Sequence, residues 1–365
     1  MNAPSTSDIL LFGATGVVGR LTARYLIDHD VILAGRDRRA LEELRDELNP
    51  DWRIATGDAH SAADMAALAA QAKVVISCVG PYSRLGWEMV NACAEHGTDY
   101  VDLCGEVPFI RRVIDTHHGT TTARIVPSCG FDSVPSDMGA FALREHAGEP
   151  LDTVTMVVEK LKGGLSAGTL DSMREVSAQA RADRSVARNL HHPYSLSPVP
   201  SAEPWLEGKD LEVTRLADGR WAGPFFMSMF NTRVVRRSNS LRGERFTYHE
   251  RWATRTRLGA WALAGMTAAV FAASQKPILR RFVPGPGKGH FRFTHEGVTE
   301  SGRKVACTVA ADGDPGYVVT AMMLAEAALT LLEHPGEGGV FTPSTALGTP
   351  YLARLQAKGM SFTCS

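Results

Sequence analysis

The sequence from residue 9 to residue 20 is Ile9-Leu10-Leu11-Phe12-Gly13-Ala14-Thr15-Gly16-Val17-Val18-Gly19-Arg20: an apolar run, a turn with glycines three residues apart, and the start of a helix. Such a turn lets the backbone approach a pyrophosphate, and the helix N-terminus supplies free N–H groups and a positive dipole end. The pattern predicts a dinucleotide site, with a strand-to-helix turn that binds no ligand as the alternative. The residues expected to contact the cofactor here are Gly13, Ala14, Thr15, Gly16, Val17 and Val18.

The residues after the second predicted strand, 31–34, bear on the choice between NAD and NADP. An NAD site places an acidic side chain here for the ribose 2′-hydroxyl, whereas an arginine suits a 2′-phosphate. Gly35 is followed by Arg36, whose guanidinium can pair with phosphate through two parallel hydrogen bonds. Asp37 is expected to cap the helix Arg38–Leu48. The sequence therefore favours NADP over NAD.

Strands and helices go on alternating, with further strands predicted at residues 53–58, 74–80, 100–103 and 124–127. This alternation predicts an α/β fold with a Rossmann-type, doubly wound parallel sheet. Ligands of such sheets bind outside the carboxyl ends of the strands. The remaining candidate residues lie at these predicted strand ends or just beyond them: Asp58 on the adenine side, and Val79, Gly80, Pro81, Tyr82, Asp102, Gly105 and Asp132 on the nicotinamide side.

The pattern changes after residue 131, where a second, mixed α/β domain is predicted. Its strands are expected to be mostly antiparallel, at residues 154–160, 225–227, 246–248, 291–294 and 304–310. A long apolar helix at residues 317–332 is expected to return to the first domain. The predicted division is an NAD(P)-binding domain of residues 1–131 with 315–365, and a substrate- or lipid-facing domain of residues 132–314.

Composition and charge exclude several functions. The chain has 365 residues and a net charge of −1, so no basic excess points to nucleic acid. Residues 1–8 are short and polar without a secretory pattern, which predicts a cytoplasmic protein. The six cysteines have no C-x-x-C and no metal-ligand spacing with histidine, so we expect buried thiols and no metal site. They are Cys78, Cys93, Cys104, Cys129, Cys307 and Cys364. The sequence does not specify the oligomeric state.

Motifs of two other enzyme classes bear on the function: one is present in the chain and the other is absent. Gly164-Leu165-Ser166-Ala167-Gly168 matches the nucleophile elbow G-x-S-x-G of hydrolases. The first domain already devotes its parallel sheet to a dinucleotide, so a turn that lines the substrate cleft is favoured over a purely structural turn, and both over a nucleophile. The Tyr-x-x-x-Lys pair of short-chain dehydrogenases is excluded, because no tyrosine has lysine four residues later.

Residues 258–275 form a run without charge, flanked by basic residues. Those residues are Arg255, Arg257, Lys276, Arg280 and Arg281. A packed core helix is one interpretation, in which Trp261, Leu263 and Phe271 are buried. The other is a surface that touches a membrane or a lipid-like substrate, since basic flanks attract anionic headgroups. A true membrane span is less favoured, because alanine and glycine dominate the run and its length is at the lower limit.

Motifs spread over nearly the whole chain point to one family. They are Gly13-Ala14-Thr15-Gly16, Gly35-Arg36, Cys78-Val79-Gly80-Pro81-Tyr82, Asp102-Leu103-Cys104-Gly105-Glu106, Gly130-Phe131-Asp132-Ser133-Val134-Pro135-Ser136-Asp137, Gly316-Tyr317-Val318-Val319-Thr320-Ala321 and Gly338-Gly339-Val340-Phe341-Thr342-Pro343. With these motifs the chain resembles the saccharopine dehydrogenase-like oxidoreductases, and most closely their branch of trans-acting enoyl reductases. The resemblance implies a saccharopine-reductase-like second domain.

The resemblance also implies a reaction and its partners. Enzymes of this branch are thought to reduce an α,β-double bond on an acyl or polyketide chain that a separate synthase carries. This implies a lipid-like or acyl-carrier-bound substrate, a polyketide synthase or acyl carrier protein as partner, and a role in glycolipid biosynthesis. The expected location is the cytoplasm, with peripheral contact at the inner face of the plasma membrane.

Enoyl reduction needs a hydrogen-bond donor for the thioester oxygen and a proton for the α-carbon. Tyr82 is the first candidate donor, and Asp132 and Asp102 are secondary. Each has a structural alternative: Tyr82 shapes the pocket, and Asp132 caps the helix after Ser133. Two other functions stay open, an amino-acid or imine dehydrogenase and a non-catalytic dinucleotide-binding protein. The dehydrogenase needs cationic side chains for substrate carboxylates, and the predicted loops of the second domain show no such group.

Overall fold

The computed structural model describes residues 7–198, 210–276, 283 and 285–365. The chain divides into two compact units. The first contains Met1–Phe131 and Tyr317–Arg354, and the second contains Asp132–Gly316 and Leu355–Ser365. The sequence-based division assigned all of residues 315–365 to the first domain. The last eleven residues instead join the second unit, because their strand pairs with its sheet.

The first unit contains a sheet with seven parallel strands among the described residues, in the order β13-β6-β5-β4-β1-β2-β3. Strands β1, β2 and β4 are almost continuously apolar and buried, as expected of parallel strands covered on both faces. The strands are β1 (Ser7–Phe12), β2 (Val31–Gly35), β3 (Arg53–Thr56), β4 (Ala72–Ser77), β5 (Asp99–Asp102), β6 (Arg124–Val126) and β13 (Gly339–Val340).

Helices alternate with these strands, as the sequence predicts. They are α1 (Val17–Tyr25), α2 (Arg38–Leu48), α3 (Ala62–Ala69), α4 (Tyr82–Leu85), α5 (Trp87–His96) and α6 (Val107–His117), followed much later by α12 (Thr320–Glu333) and α13 (Pro343–Ala357), which is broken at Gly348. Helix α12 packs against α1, β4 and β5. Among the described residues only Pro315–Glu333 is long and apolar enough to cross a membrane, and that segment is a buried core helix.

A buried carboxylate joins three helices of the first unit. Glu326 on α12 is fully buried, accepts a hydrogen bond from the hydroxyl of Tyr25 on α1, and pairs with Arg354 on α13 at 2.5 Å. The guanidinium supplies the opposite charge that a buried carboxylate requires. This triad holds the returning C-terminal segment on the nucleotide-binding fold.

The second unit has a mixed sheet in the order β14-β12-β11-β7-β10-β9-β8, in which β7 and β10 run parallel and the other neighbours antiparallel. The strands are β7 (Leu151–Lys162), β8 (Thr214–Arg215), β9 (Trp221–Pro224), β10 (Thr247–Thr254), β11 (His290–Thr299), β12 (Lys304–Asp312) and β14 (Ser361–Cys364). The helices are α7 (Val134–Ala147), α8 (Ala167–Ala182), α9 (Arg184–His191), α10 (Ser228–Arg242) and α11 (Arg257–Ser274).

The region of helix α10 differs from the sequence analysis in two respects. The strand predicted at residues 225–227 is wrong, since β9 ends at Pro224 and a turn leads into this helix. The helix also buries cations that the sequence analysis did not find. Arg233 and Arg236 both pair with Asp210, at 2.5 and 3.1 Å, and Arg237 donates to the carbonyl of Leu196. Polar residues on the buried side conceal the apolar periodicity by which helices are recognised.

The cysteine prediction is wrong at one pair. Cys307 and Cys364 lie opposite each other on the antiparallel strands β12 and β14 and form a disulfide. The two residues are 57 positions apart, so the sequence alone did not indicate their pairing. The remaining cysteines are free thiols, as expected, and of these only Cys78 is partly exposed.

Candidate functional site

The turn between β1 and α1 is built around two glycines. Gly13 has φ +83°, and a Cβ placed on it would lie 2.7 Å from the side chain of Val79, which lies two residues after the end of β4. A Cβ on Gly19 would lie 2.2 Å from the carbonyl oxygen of Gly13. Both approaches are closer than any side chain allows, so the crossing of turn and helix depends on glycine at each position.

The predicted phosphate-binding residues are consecutive in the turn and the start of α1, and all of them except the buried Ala14 are at least partly exposed. Gly16 is the N-cap of α1, and Gly16 and Val17 are exposed. The first N–H groups of an α-helix have no acceptor within the helix, so those of Val17 and Val18 remain for a ligand. The carbonyl oxygen of Thr15 accepts a hydrogen bond from Nε of Arg20 at 3.2 Å. The turn therefore offers N–H donors and a positive dipole end to a pyrophosphate.

Arg36 lies at the same sheet edge as the glycine turn. It follows β2, whose Ala34 is in register with Phe12 of β1, and its side chain is exposed. Arg36 makes no hydrogen bond or ion pair with any described residue. The next two arginines are engaged within α2, where Arg38 pairs with Glu42 and Arg39 with Glu43. Arg36 is thus left for a 2′-phosphate.

Asp37 and Asp58 have local roles at this edge. The Asp37 carboxylate accepts the N–H of Ala40 at 3.1 Å, the helix cap that the sequence predicts. Asp58 follows β3, is exposed, and accepts the N–H of His60 at 3.0 Å. Because β3 is the outer neighbour of β2, Asp58 lies on the Arg36 side of the glycine turn. This placement fits the predicted adenine side.

Arg36→Ala should weaken NADPH binding selectively. The loss should correspond to the ~1.5–3 kcal/mol typical of a hydrogen bond to a charged group, while NADH binding stays unchanged. Titration of cofactor fluorescence measures both constants. Arg39→Ala is the matched control, since that arginine pairs with Glu43 and should leave both constants unchanged. An equal loss for NADH and NADPH would contradict the role of Arg36 in phosphate recognition.

The segment after β4 is held by a residue that the sequence analysis did not select. Glu106 is fully buried, and its carboxylate accepts the N–H groups of Tyr82 and Ser83 at 2.8 and 2.9 Å. It thereby fixes the start of α4 and the Gly80-Pro81 segment before it. The only sequence signal for Glu106 is its place directly after Gly105, which is partly exposed beyond the end of β5.

Tyr82 does not have the contacts expected of a proton donor. Its side chain is only 5 % exposed, and its hydroxyl donates to the carbonyl of Ser77 at 2.9 Å. The same oxygen accepts the N–H of Leu103 at 3.1 Å. Burial also raises the pKa of Tyr82 well above its usual value. Its single proton is committed to the backbone, so the geometry favours the structural alternative, in which Tyr82 joins β4 to β5.

Asp102 has a similar structural role. Its carboxylate accepts hydrogen bonds from the N–H groups of Cys104 and Ser128 and from the hydroxyl of Tyr100, at 2.8–3.0 Å. Burial nevertheless raises its pKa to about 7. Ser128 has φ +67°, a left-handed conformation that this bond helps to hold. Asp102 therefore connects the ends of β5 and β6.

Asp132 differs from Tyr82 and Asp102 because its carboxyl group is unengaged. It makes no hydrogen bond or ion pair within the described part of the chain, and burial raises its pKa to about 7. The expected helix cap is not observed: the N-cap of α7 is Ser133, and no side chain bonds to this helix end. Asp102 and Asp132 both have a pKa of about 7, but of the three candidates only Asp132 has a side chain with no hydrogen-bond partner among the described residues.

The G-x-S-x-G motif forms a helix cap. Ser166 is the N-cap of α8, and its hydroxyl oxygen accepts the N–H of Thr169 at 3.1 Å. Its hydroxyl contacts only Thr169 among the described residues, so no base activates it. The contacts therefore contradict a nucleophile. Among the same residues, no group of histidine, cysteine and carboxylate side chains could hold a metal ion.

The similarity of this chain to known proteins identifies its family. Residues 9–125 match the family model of the saccharopine dehydrogenase NADP binding domain. A Mycobacterium tuberculosis protein, provisionally named as a trans-acting enoyl reductase, is 40% identical over 98% of this chain and 97% of its own length. The trans-acting enoyl reductase of Mycobacterium ulcerans is 36% identical over 97% and 96% of the two chains. The chain belongs to the saccharopine dehydrogenase-like oxidoreductases, in the branch of the trans-acting enoyl reductases.

A solved structure supports the same fold for this saccharopine dehydrogenase-like protein. Saccharopine dehydrogenase (L-Glu forming) of Saccharomyces cerevisiae matches with a TM-score of 0.56 and 12% identity, covering 99% of this chain and 100% of that one. The predicted fold class, a Rossmann-type sheet with a second mixed α/β domain, is therefore confirmed. The protein is an NADP-dependent oxidoreductase, as predicted, and the glycine turn and Arg36 fit that cofactor.

Proposed function

We propose that this protein reduces the α,β-double bond of an acyl or polyketide chain that a separate synthase or acyl carrier protein presents in trans. The observation that carries the proposal is the extent of the similarity. The enoyl reductase relatives match at 35–40% identity over both units, not over the nucleotide-binding unit alone. The similarity to these relatives therefore includes the second unit, which the sequence analysis predicts to bind the substrate.

The chemistry divides between NADPH and the protein. NADPH, when bound, would supply a hydride for the β-carbon of the substrate; the C=C π bond would then break, and its electron pair would pass through the α-carbon to the thioester oxygen. The resulting enolate needs a proton at the α-carbon. We assign that proton to Asp132, whose pKa of about 7 leaves part of the population protonated at neutral pH. The carboxylate then recovers a proton from solvent.

The buried arginines Arg233 and Arg236 of the second unit do not supply the cations that an amino-acid or imine dehydrogenase needs. Such an enzyme needs free cations for the carboxylates of its substrate. Arg233 and Arg236 are instead buried at 3% and 2% exposure and share the carboxylate of Asp210. Their charge is neutralised within the fold, so they do not form a substrate-carboxylate site.

The proposal also covers the protein that carries the substrate and the cellular location of the enzyme. A chain carried by a synthase or acyl carrier protein is long and apolar, which suits a role in lipid or glycolipid biosynthesis. We place the protein in the cytoplasm, peripheral to the inner face of the plasma membrane. The support for this location is the uncharged run of residues 258–275, most of which lies in helix α11, with its basic flanks.

A substrate screen tests the proposed reaction. Purified protein should consume NADPH with long-chain enoyl thioesters on pantetheine or an acyl carrier protein, and not with saturated thioesters. Cyclic imines, and 2-oxo acids with an amine, test the dehydrogenase alternative. Consumption with these compounds but not with enoyl thioesters would contradict the proposal. Tight NADPH binding without turnover of any compound would favour a non-catalytic dinucleotide-binding protein.

A further inference from the structure

Helix α11 has the reverse of the usual arrangement of a surface helix. A helix on a soluble protein normally buries large apolar side chains and exposes polar ones. Here the buried residues are Ala260, Thr267 and Ser274, which are small and partly polar and follow one another at intervals of seven. They form one narrow stripe, and apart from Arg257 in the first turn all the other residues of the helix are apolar.

The exposed face of α11 carries large hydrophobic side chains. Leu258 is 82% exposed, Trp261 57% and Met266 41%. Intervals of three and four residues place side chains on one side of a helix, so small residues complete a continuous apolar strip. These small residues are Ala262, Gly265, Ala268, Ala269 and Ala272, and all are exposed. The core alternative is therefore wrong for Trp261, while Leu263 and Phe271 are partly buried.

Helix α11 packs closely against the sheet of the second unit. A Cβ on Gly223 of β9 would lie 2.6 Å from the carbonyl oxygen of Ala260, so the helix backbone rests directly on the strand. The hydroxyl oxygen of Thr256 caps the first turn by accepting the N–H of Gly259 at 3.0 Å. The exposed apolar strip thus belongs to an anchored helix, and only small side chains permit this close approach.

The charged residues within and directly beside α11 in the sequence are all basic. Arg255 and Arg257 precede the apolar strip and Lys276 follows it, and all three are exposed. Arg181 of α8 reaches the same C-terminal end and donates to Gln275 at 3.0 Å. The sequence from residue 255 to residue 276 contains no aspartate or glutamate. Arg280 and Arg281, the other predicted flanking residues, lie outside the described residues.

We propose that the exposed face of α11 docks on the surface of an anionic lipid membrane, with the helix axis parallel to that surface. The apolar strip enters the boundary between headgroups and acyl chains, Trp261 lies at headgroup level, and the basic ends contact anionic headgroups. Charge at both ends favours a helix lying flat over one that crosses. This surface is separate from the reductase chemistry, and the proposal does not depend on it.

Vesicle sedimentation tests the docking surface. The wild-type protein should sediment with phosphatidylcholine vesicles that contain phosphatidylglycerol, and much less with phosphatidylcholine alone. The double variant Leu258→Gln/Trp261→Gln should partition at least about tenfold more weakly, because two large side chains no longer favour the interface. The variant Arg255→Gln/Lys276→Gln should lose the preference for anionic vesicles and the sensitivity to salt.

Matched controls separate docking from folding. Ile27 and Leu211 are also exposed, at 40% and 46%, so Ile27→Gln/Leu211→Gln removes two exposed apolar side chains elsewhere and should bind vesicles like the wild type. All variants should keep the wild-type unfolding temperature, since the replaced side chains are exposed. Equal vesicle binding by the α11 variant and the wild type would overturn the proposal. So would a wild-type dimer that binds no vesicles and that the α11 variant converts to a monomer, since a second copy would then cover the helix.

Discussion

Gly19→Ala should weaken NADPH binding by roughly a hundredfold, the equivalent of about 3 kcal/mol of steric strain. The new methyl group would lie 2.2 Å from the carbonyl oxygen of Gly13 and 2.9 Å from the backbone of Ala14. Helix α1 and the turn must move apart to accept it. That movement displaces the N–H groups of Val17 and Val18 from the pyrophosphate, because they lie in the first turn of the same helix.

Gly16→Ala is the matched control for this prediction. A Cβ on Gly16 would lie 3.3 Å from the carbonyl oxygen of Gly13, and its φ of −70° suits any residue. We therefore expect a loss of only a few-fold in NADPH affinity. Fluorescence titration gives the affinities, and circular dichroism shows whether each variant folds. Wild-type affinity in a folded Gly19→Ala variant would show that the phosphates are held elsewhere.

The first unit could be predicted from the sequence because its strands are buried on both faces. Such strands are short, continuous apolar runs, and the helices between them are amphipathic or carry clear caps. Helix α2 begins and ends at the predicted residues, Arg38–Leu48. The glycine turn and Arg36 could be predicted for a similar reason, since their roles depend on local backbone geometry.

The parts that could not be predicted depend on contacts between distant residues. Tyr82 and Asp102 follow strand ends, as expected, but their partners Ser77, Leu103 and Ser128 are known only from the folded sheet. Both side chains therefore looked available in the sequence and are engaged in the structure. The same limit applies to Glu106 and to the Cys307–Cys364 disulfide, whose partners approach through the sheets.

Asp132→Asn should lower kcat for enoyl reduction by about 100-fold or more, the usual contribution of a general acid, with NADPH affinity unchanged. The wild-type rate should fall as the pH rises through about 7, because burial raises the pKa of Asp132 to that value and the protonated form donates. The variant should lack this fall. Rates measured across the pH range with one enoyl thioester give both results.

A stability measurement gives an independent check on the same group. The folded pKa of Asp132 is raised from 3.8 to about 7, so the folded state binds the proton more tightly than the unfolded state does. Stability should therefore fall as the pH rises between these values, and Asp132→Asn should remove that fall. Asp102→Asn is the control for the rate profile: it breaks a hydrogen-bonded joint and should lower the unfolding temperature, yet leave the fall in rate near pH 7 in place. An Asp132→Asn enzyme with wild-type kcat and the same pH profile would show that the α-carbon takes its proton from another group, and Asp132 would lose its assigned role.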